Sequence, residues 1–443
     1  MLFRVSVVVL VTCIVLAAHR DGRRSPIVIG LVPWLLAMLL GPVLFRYNVE
    51  YSVKADVFVA VCSIAVTLGY LLVRDAPKTP PRNHRHSDLE VRIAQLLGVA
   101  GIVGCLLLLA EARTTGVPLS FSYLLANLGA VRDERFRGLT TSVAQSPAAV
   151  LGSYLAGCSF LTVVAATRLG KTGRIRELAI ANLLLVGAVS LLVEAGRTTV
   201  VNIALLGAVG AVAVGRRLLP TRPHAIALTL LATIGVWYFA VPFLATRERG
   251  ADPERVLAQT QRAELREWVG FARDNDSTGL ALVSIGYFTS PVATLSFYLQ
   301  RDVPGPLLGA YSYPLPARTI AKATGKNTPD LWLQNRLQVF APIEQAGYFP
   351  NVWSTWLRDL RVDFGYAGTA IFLLAFGGFI AWARNRFESS GLLLYHYFGT
   401  LATLTFAFGA FQNLLWSNFL SNAFYLTLVL AVVIRLWPNT AVE

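Results

Sequence analysis

Pro26-Ile27-Val28-Ile29-Gly30-Leu31-Val32-Pro33-Trp34-Leu35-Leu36-Ala37-Met38-Leu39-Leu40-Gly41-Pro42-Val43-Leu44-Phe45 carries no charged side chain, and arginines bracket it at Arg23, Arg24 and Arg46. An apolar run of about twenty residues, wound as a helix, matches roughly 30 Å of hydrocarbon. The same reading along the chain gives eleven candidate spans, at 2–18, 26–45, 55–73, 92–110, 148–166, 178–194, 198–215, 224–244, 364–383, 391–411 and 416–434. One long polar and aromatic stretch, 245–363, separates the eighth from the ninth. The expected organisation is an N-terminal bundle over 1–244, a large loop over 245–363 and a C-terminal bundle over 364–443. The fold class is therefore all-α integral membrane: a polytopic bundle of about eleven transmembrane helices with one large, partly helical extracytoplasmic loop.

Composition points the same way. Of 443 residues, 55% are hydrophobic and only 14% charged, and the mean hydropathy is +0.56. A soluble domain carries roughly a quarter charged residues. A net charge of +14 in a soluble protein would suggest nucleic acid, but here the basic residues lie mainly in short loops between apolar runs. That distribution reports topology and implies no nucleic-acid partner. Alternate loops sort into one set with 18 basic residues (Arg20, Arg23, Arg24, then 74–92, 168–177, 215–223, 384–388 and Arg435) and an opposite set with 8. The richer set is expected to be cytoplasmic. This places the N-terminus and 245–363 outside and the C-terminus inside. The long stretch holds 13 basic and 12 acidic residues and so adds little to the bias. A signal-peptide reading of the first span, with Arg4 before it and Ala17-Ala18 at its end, is opposed by the basic run from His19 to Arg24.

Inside 245–363, Asp252-Pro253-Glu254 and Thr328-Pro329-Asp330 have the form of helix starts, a capping side chain followed by proline at the first helical position. Cys13, Cys62, Cys105 and Cys158 all fall in apolar runs without CxxC spacing and read as small core residues. His84 and His86 lie in a proline-rich linker and read as solvated. The sequence has no Walker loop, GxSxG, HExxH or DxD, which argues against nucleotide-driven chemistry.

What remains is charge at costly places. Glu194 and Arg197 flank a tight turn between the sixth and seventh spans, where an ion needs a partner or a wet cavity. In Arg132-Asp133-Glu134-Arg135-Phe136-Arg137, a solvated face competes with diphosphate binding through Arg135 and its neighbours. The segment Ala346-Gly347-Tyr348-Phe349-Pro350-Asn351-Val352-Trp353-Ser354-Thr355-Trp356-Leu357-Arg358-Asp359-Leu360-Arg361-Val362-Asp363-Phe364-Gly365-Tyr366-Ala367-Gly368 runs straight into the ninth span. Tyr348, Asn351, Trp353 and Thr355 suit sugar hydroxyls and ring faces, and Asp363 stands where loop meets span. As a purely structural device, the same segment is a helix start capped by Asp363.

The pattern of proline, Asn351, Ser354-Thr355 and then Asp363-Phe364-Gly365-x-x-Gly368 resembles the Wzy-type O-antigen and oligosaccharide repeat-unit polymerases. Gly196-Arg197-Thr198 and Ile285-Gly286-Tyr287-Phe288-Thr289-Ser290-Pro291 fit the same resemblance. It implies a GT-C-like membrane glycosyltransferase of the bacterial cytoplasmic membrane. Its donor and acceptor would be undecaprenyl-diphosphate-linked oligosaccharides, its surroundings membrane lipid, and a chain-length regulator a further candidate partner; no metal or other cofactor is expected. Arg197 with Arg318, Arg336 or Arg358 would hold the departing diphosphate, and Asp363 or Glu344 would take the proton of the attacking hydroxyl. An O-antigen ligase is the near alternative. Ligases of that type resemble one another in a histidine on the large external loop, and 245–363 contains none. A transporter or flippase is the alternative of another class.

The charge bias makes a direct prediction: a cysteine at position 275 reacts with a membrane-impermeant maleimide in intact cells. Labelling that occurs only after lysis reverses the orientation.

Overall fold

The computed structural model describes residues 4–22, 25–47, 51–74, 88–114, 147–170, 174–192, 198–214, 263–267, 276–300, 355–411, 413 and 418–436. The apolar runs are helices, because a backbone amide among apolar groups finds its partner most readily one turn away in its own chain. In chain order these are α1 Val5–Asp21, α2 Pro26–Leu44, α3 Val53–Leu72, α4 Asp88–Thr114, α5 Pro147–Leu169, α6 Ile175–Leu192, α7 Thr198–Ala213, α8 Asp276–Leu299, α9 Trp356–Ser390, α10 Leu393–Phe408 and α11 Asn418–Leu436. Two short strands, β1 Phe45–Tyr47 and β2 Ala263–Leu265, pair antiparallel with Phe45 opposite Leu265. Five helices, α2, α3, α4, α5 and α9, are long and apolar enough to cross a membrane. Their outer faces are apolar too: α3 exposes Val57, Val61, Ile64 and Leu68 at helical spacing, a stripe suited to lipid.

Each expected span except the eighth falls on a helix; 224–244 lies outside the described residues, as do the helix starts at 252 and 328. The 24-residue α8, within the stretch read as a loop, was not anticipated. Pro291 and its many Ser, Thr and Gly residues interrupt its apolar pattern, which is why the sequence does not announce it.

The chain forms two units. The first comprises Met1–Val73, Val236–Ala381 and Thr405–Trp416. In it α1 and α3 clip each other at both ends. Asp56 of α3 accepts the Val5 N–H at 2.8 Å, the Ser6 N–H at 3.4 Å and the Ser6 hydroxyl, capping α1. Arg20 of α1 donates to the Tyr70 and Val73 carbonyls at 2.7 and 2.6 Å, closing the C-terminal end of α3. The α3 helix also lies against α9 at almost zero clearance. A Cβ on Gly69 would stand 1.9 Å from the Leu374 carbonyl oxygen, and one on Gly377 would stand 2.0 Å from that of Val66. With Phe58 against Tyr366 at one end and Val73 beside Gly378 at the other, α1, α3 and the later part of α9 share one sense. Meanwhile α8 packs against the ends of α2 and α3 through Tyr47–Thr289 (2.6 Å) and the Ser52 N–H to Ser296 (2.9 Å).

The second unit comprises Arg74–Gly235, Trp382–Leu404 and Ser417–Glu443. Close approach of glycines again sets its packing: a Cβ on Gly104 would meet the Ala156 nitrogen at 2.3 Å. A buried polar knot ties α4, α5 and α6, with Ser159 donating to Asn182 at 2.7 Å and Asn182 donating to Gly98 O at 2.9 Å. Phe160 stacks on Phe419 and Tyr154 meets Tyr425 edge-on, so α11 runs against α5. At the far end of α5, Thr167 meets His396 near the start of α10. Phe398 of α10 in turn meets Phe424 of α11 edge-on, with ring centroids 6.4 Å apart.

Overpacking a tight core contact costs roughly 1–3 kcal/mol and more where backbone is struck. Gly69→Val and Gly377→Val should each lower the thermal unfolding midpoint of the purified protein by several degrees. Gly187→Ala, with nothing within 4 Å of the added Cβ, should leave it unchanged or raised.

Candidate active site

The segment singled out in the sequence, from Thr355 to Gly368, forms the start of α9, and α9 is not straight. Gly365 has φ 68° and ψ −173°, a conformation that other residues rarely adopt. Twenty residues of continuous helix span about 30 Å, yet the rings of Trp356 and Phe376 are 5.1 Å apart, and Phe364 stacks on Phe372 at 5.3 Å. The arm 356–364 therefore folds back beside 366–376 in an aromatic zipper. Gly368 makes the reversal possible, because a Cβ there would lie 2.8 Å from the Phe364 Cβ. The Thr369 hydroxyl steadies the turn by donating to the Gly365 carbonyl at 2.6 Å. Both glycines of the Asp-Phe-Gly-x-x-Gly element thus have a steric function. The expected span start at 364 falls at this turn: the long apolar part of α9 begins after Gly365, the arm 356–364 precedes it, and Asp363 sits in the last turn of that arm.

The arm carries charge into the core of its unit. Arg358, 2% exposed, places Nε and Nη2 each 2.7 Å from one oxygen of Asp359, which is itself fully buried. The second Asp359 oxygen accepts from Asn413 Nδ2 at 2.9 Å, and the guanidinium lies 4.8 Å over the Tyr298 ring. One turn further, Arg361 donates to the Tyr298 carbonyl at 2.7 Å and reaches over Tyr366 at 4.9 Å. Lys54 approaches the same ring at 5.0 Å. Asp363 is fully buried one turn after Asp359, close enough for their charges to act on each other. At the other end of the arm, Thr355 Oγ1 and Trp356 Nε1 are buried without a hydrogen-bond partner among the described residues. The Trp356 N–H donates to Gly409 O at 2.7 Å, fastening the arm to the break between α10 and α11.

Of the expected site residues, Asp363, Arg358 and Thr355 therefore lie on one nine-residue arm and its threshold. Arg197, Glu344, Arg318, Arg336, Arg135, Asn351, Trp353 and Tyr348 lie outside the described residues. The sequence reading passed over Asp359, Asn413, Tyr298, Arg361 and Lys54. Asp359 was legible, since an acid directly after Arg358 in an otherwise apolar context demands a partner. Asn413 also stood out as an amide within Phe411-Gln412-Asn413-Leu414. Tyr298 gave no signal, because only the packing of α8 brings it there. Chemically, the arm offers carboxylates of two kinds: Asp359, committed to a guanidinium and an amide, and Asp363, near the turn. Comparison of the chain with family models, with curated proteins and with solved structures finds no match.

Removing one member of a buried ion pair strands the other charge and costs about 3–5 kcal/mol, whereas replacing both by apolar groups is often neutral. Asp359→Ala should thus yield little monodisperse protein, and Arg358→Leu combined with Asp359→Leu should recover most of it, as judged by size-exclusion chromatography and thermal unfolding.

Proposed function

We propose that this chain is a membrane glycosyltransferase that polymerises lipid-linked oligosaccharide units outside a bacterial cytoplasmic membrane. The observation that carries the reading is the folded-back arm. A helical hairpin with two buried carboxylates and a buried arginine, closed by Gly365 and Gly368, is what the segment resembling the repeat-unit polymerases forms in this chain. Broken helices that bring polar groups into an apolar bundle characteristically build binding sites, since irregular backbone is tolerated there only beside protein or a wet cavity. In this reading a sugar hydroxyl of one unit attacks the anomeric carbon of the other, and polyprenyl diphosphate leaves. Asp363 takes the proton, while Asp359, held by Arg358 and Asn413, fixes the arm. Arg197 provides the planar fork for the diphosphate, with Arg361 and Lys54 as further cations on the described side of the site. Sugar hydroxyls are bound by Asn351, Trp353, Thr355 and Tyr348. The eleven crossings and the external placement of 245–363 belong to the same proposal. An O-antigen ligase would use the same donor with another acceptor.

The test is polymer formation from purified undecaprenyl-diphosphate-linked repeat units in liposomes. Arg197→Lys and Asp363→Asn should each reduce the rate about a hundred- to a thousandfold, the effect of losing a charged group that acts in the transition state. Both variants should elute as the unmodified protein does. Near-normal polymer from well-folded Asp363→Asn and Arg197→Lys proteins removes the assignment.

A further inference from the structure

Within the second unit a cavity of about 360 Å³ opens between the ends of α5, α7 and α9, lined by Thr167, Arg168, Ala213, Val214 and Phe387. Its floor is a stack of three groups. The Arg168 guanidinium lies 5.2 Å over the Phe387 ring, and that ring stacks on His396 at 4.8 Å. His396 is fixed in turn by the hydroxyls of Thr167 (3.0 Å) and Thr400 (3.4 Å). A guanidinium carries its N–H donors in its own plane, the direction from which oxyanions approach. The acidic neighbour is Glu90, whose field reaches Arg168 and whose carboxylate accepts the Leu393 N–H at 2.7 Å. The opposite wall, Ala213 and Val214, is apolar. A cation and an apolar wall at the ends of apolar helices suit a group that is phosphate at one end and hydrocarbon at the other. Basic pockets between helices near the membrane surface take anionic lipid headgroups in this way.

We infer that this cavity binds the phosphodiester headgroup of an anionic membrane lipid, with Arg168 on the phosphate oxygens and Ala213 and Val214 against the first part of the acyl region. The site lies apart from the arm of α9 and stands independently of the glycosyl-transfer reading. The test uses the full chain, delipidated in a non-ionic detergent and titrated with phosphatidylglycerol, phosphatidylcholine or inorganic phosphate. Bound lipid is counted by native mass spectrometry and followed by the thermal unfolding midpoint. Phosphatidylglycerol should bind one per chain and raise the midpoint, while phosphatidylcholine at equal concentration should not. Arg168→Ala should weaken binding about tenfold or more, the effect of losing a charged hydrogen bond. Val214→Trp, which fills the cavity and leaves Arg168 in place, should do the same, and Arg176→Ala, an exposed arginine on α6, should not. Equal binding of the two lipids, unchanged binding by Val214→Trp, or full displacement of phosphatidylglycerol by equimolar inorganic phosphate would each overturn the assignment. The last would make it a free-anion site.

Discussion

A peptide N–H or C=O among apolar groups must find a partner, because leaving it bare costs several kcal/mol. Helices solve the problem everywhere except at their ends and breaks, so the ends and breaks are where this protein uses its polar side chains. Asp56 holds the first amides of α1, and Arg20 holds the last carbonyls of α3. The carbonyl of Gly409, freed where α10 stops, accepts the first amide of α9. Asn413, four residues into the same break, spends its amide on Asp359. Each contact joins elements distant in sequence, so satisfying the backbone also fixes the tertiary arrangement.

Van der Waals contact does the rest. Association among lipid-facing helices draws little on the hydrophobic effect, and small residues that let backbones touch take over its function. Gly69 and Gly377 bring α3 and α9 to carbonyl contact, and Gly104 does so for α4 and α5. The candidate site inherits its rigidity from the first of these pairs. The arm 356–364 leans on Phe372 and Phe376, which bracket the Leu374 carbonyl that Gly69 faces. Asp359 and Arg358 are thus positioned by a packing contact made well away from either charge.

Runs of apolar residues made the helices legible, and α1 to α7 begin and end close to where the hydropathy changes. Where the sequence misled, a short-range signal was overruled. The 276–299 segment looked like loop because Pro291, Thr289, Ser290, Thr294 and Ser296 dilute its apolar character, yet three of these hydroxyls have partners: Thr289 and Ser296 bond to Tyr47 and Ser52, and Thr294 returns to its own backbone at Pro291. Asp363 looked like a cap because it precedes the ninth apolar run; that the chain reverses at Gly365 depends on a positive φ and on ring contacts eight to twenty residues apart. Arg358 was chosen from its neighbourhood in the sequence, but Asn413, which donates to its partner Asp359, lies 54 residues from that aspartate and no local pattern could reveal it.

The reversal at Gly365 also uncouples position in the sequence from depth in the fold. Along an ordinary helix that rises out of a loop, residues become more enclosed as the chain advances toward the span. Along 355–364 there is no such gradient: Thr355 and Trp356 are as enclosed as Val362 and Asp363, and only Arg361 and Phe364 are partly open. The end that a linear reading would assign to the surface is held as deep as the end beside the apolar run, so this stretch is enclosed along its whole length rather than emerging from a loop.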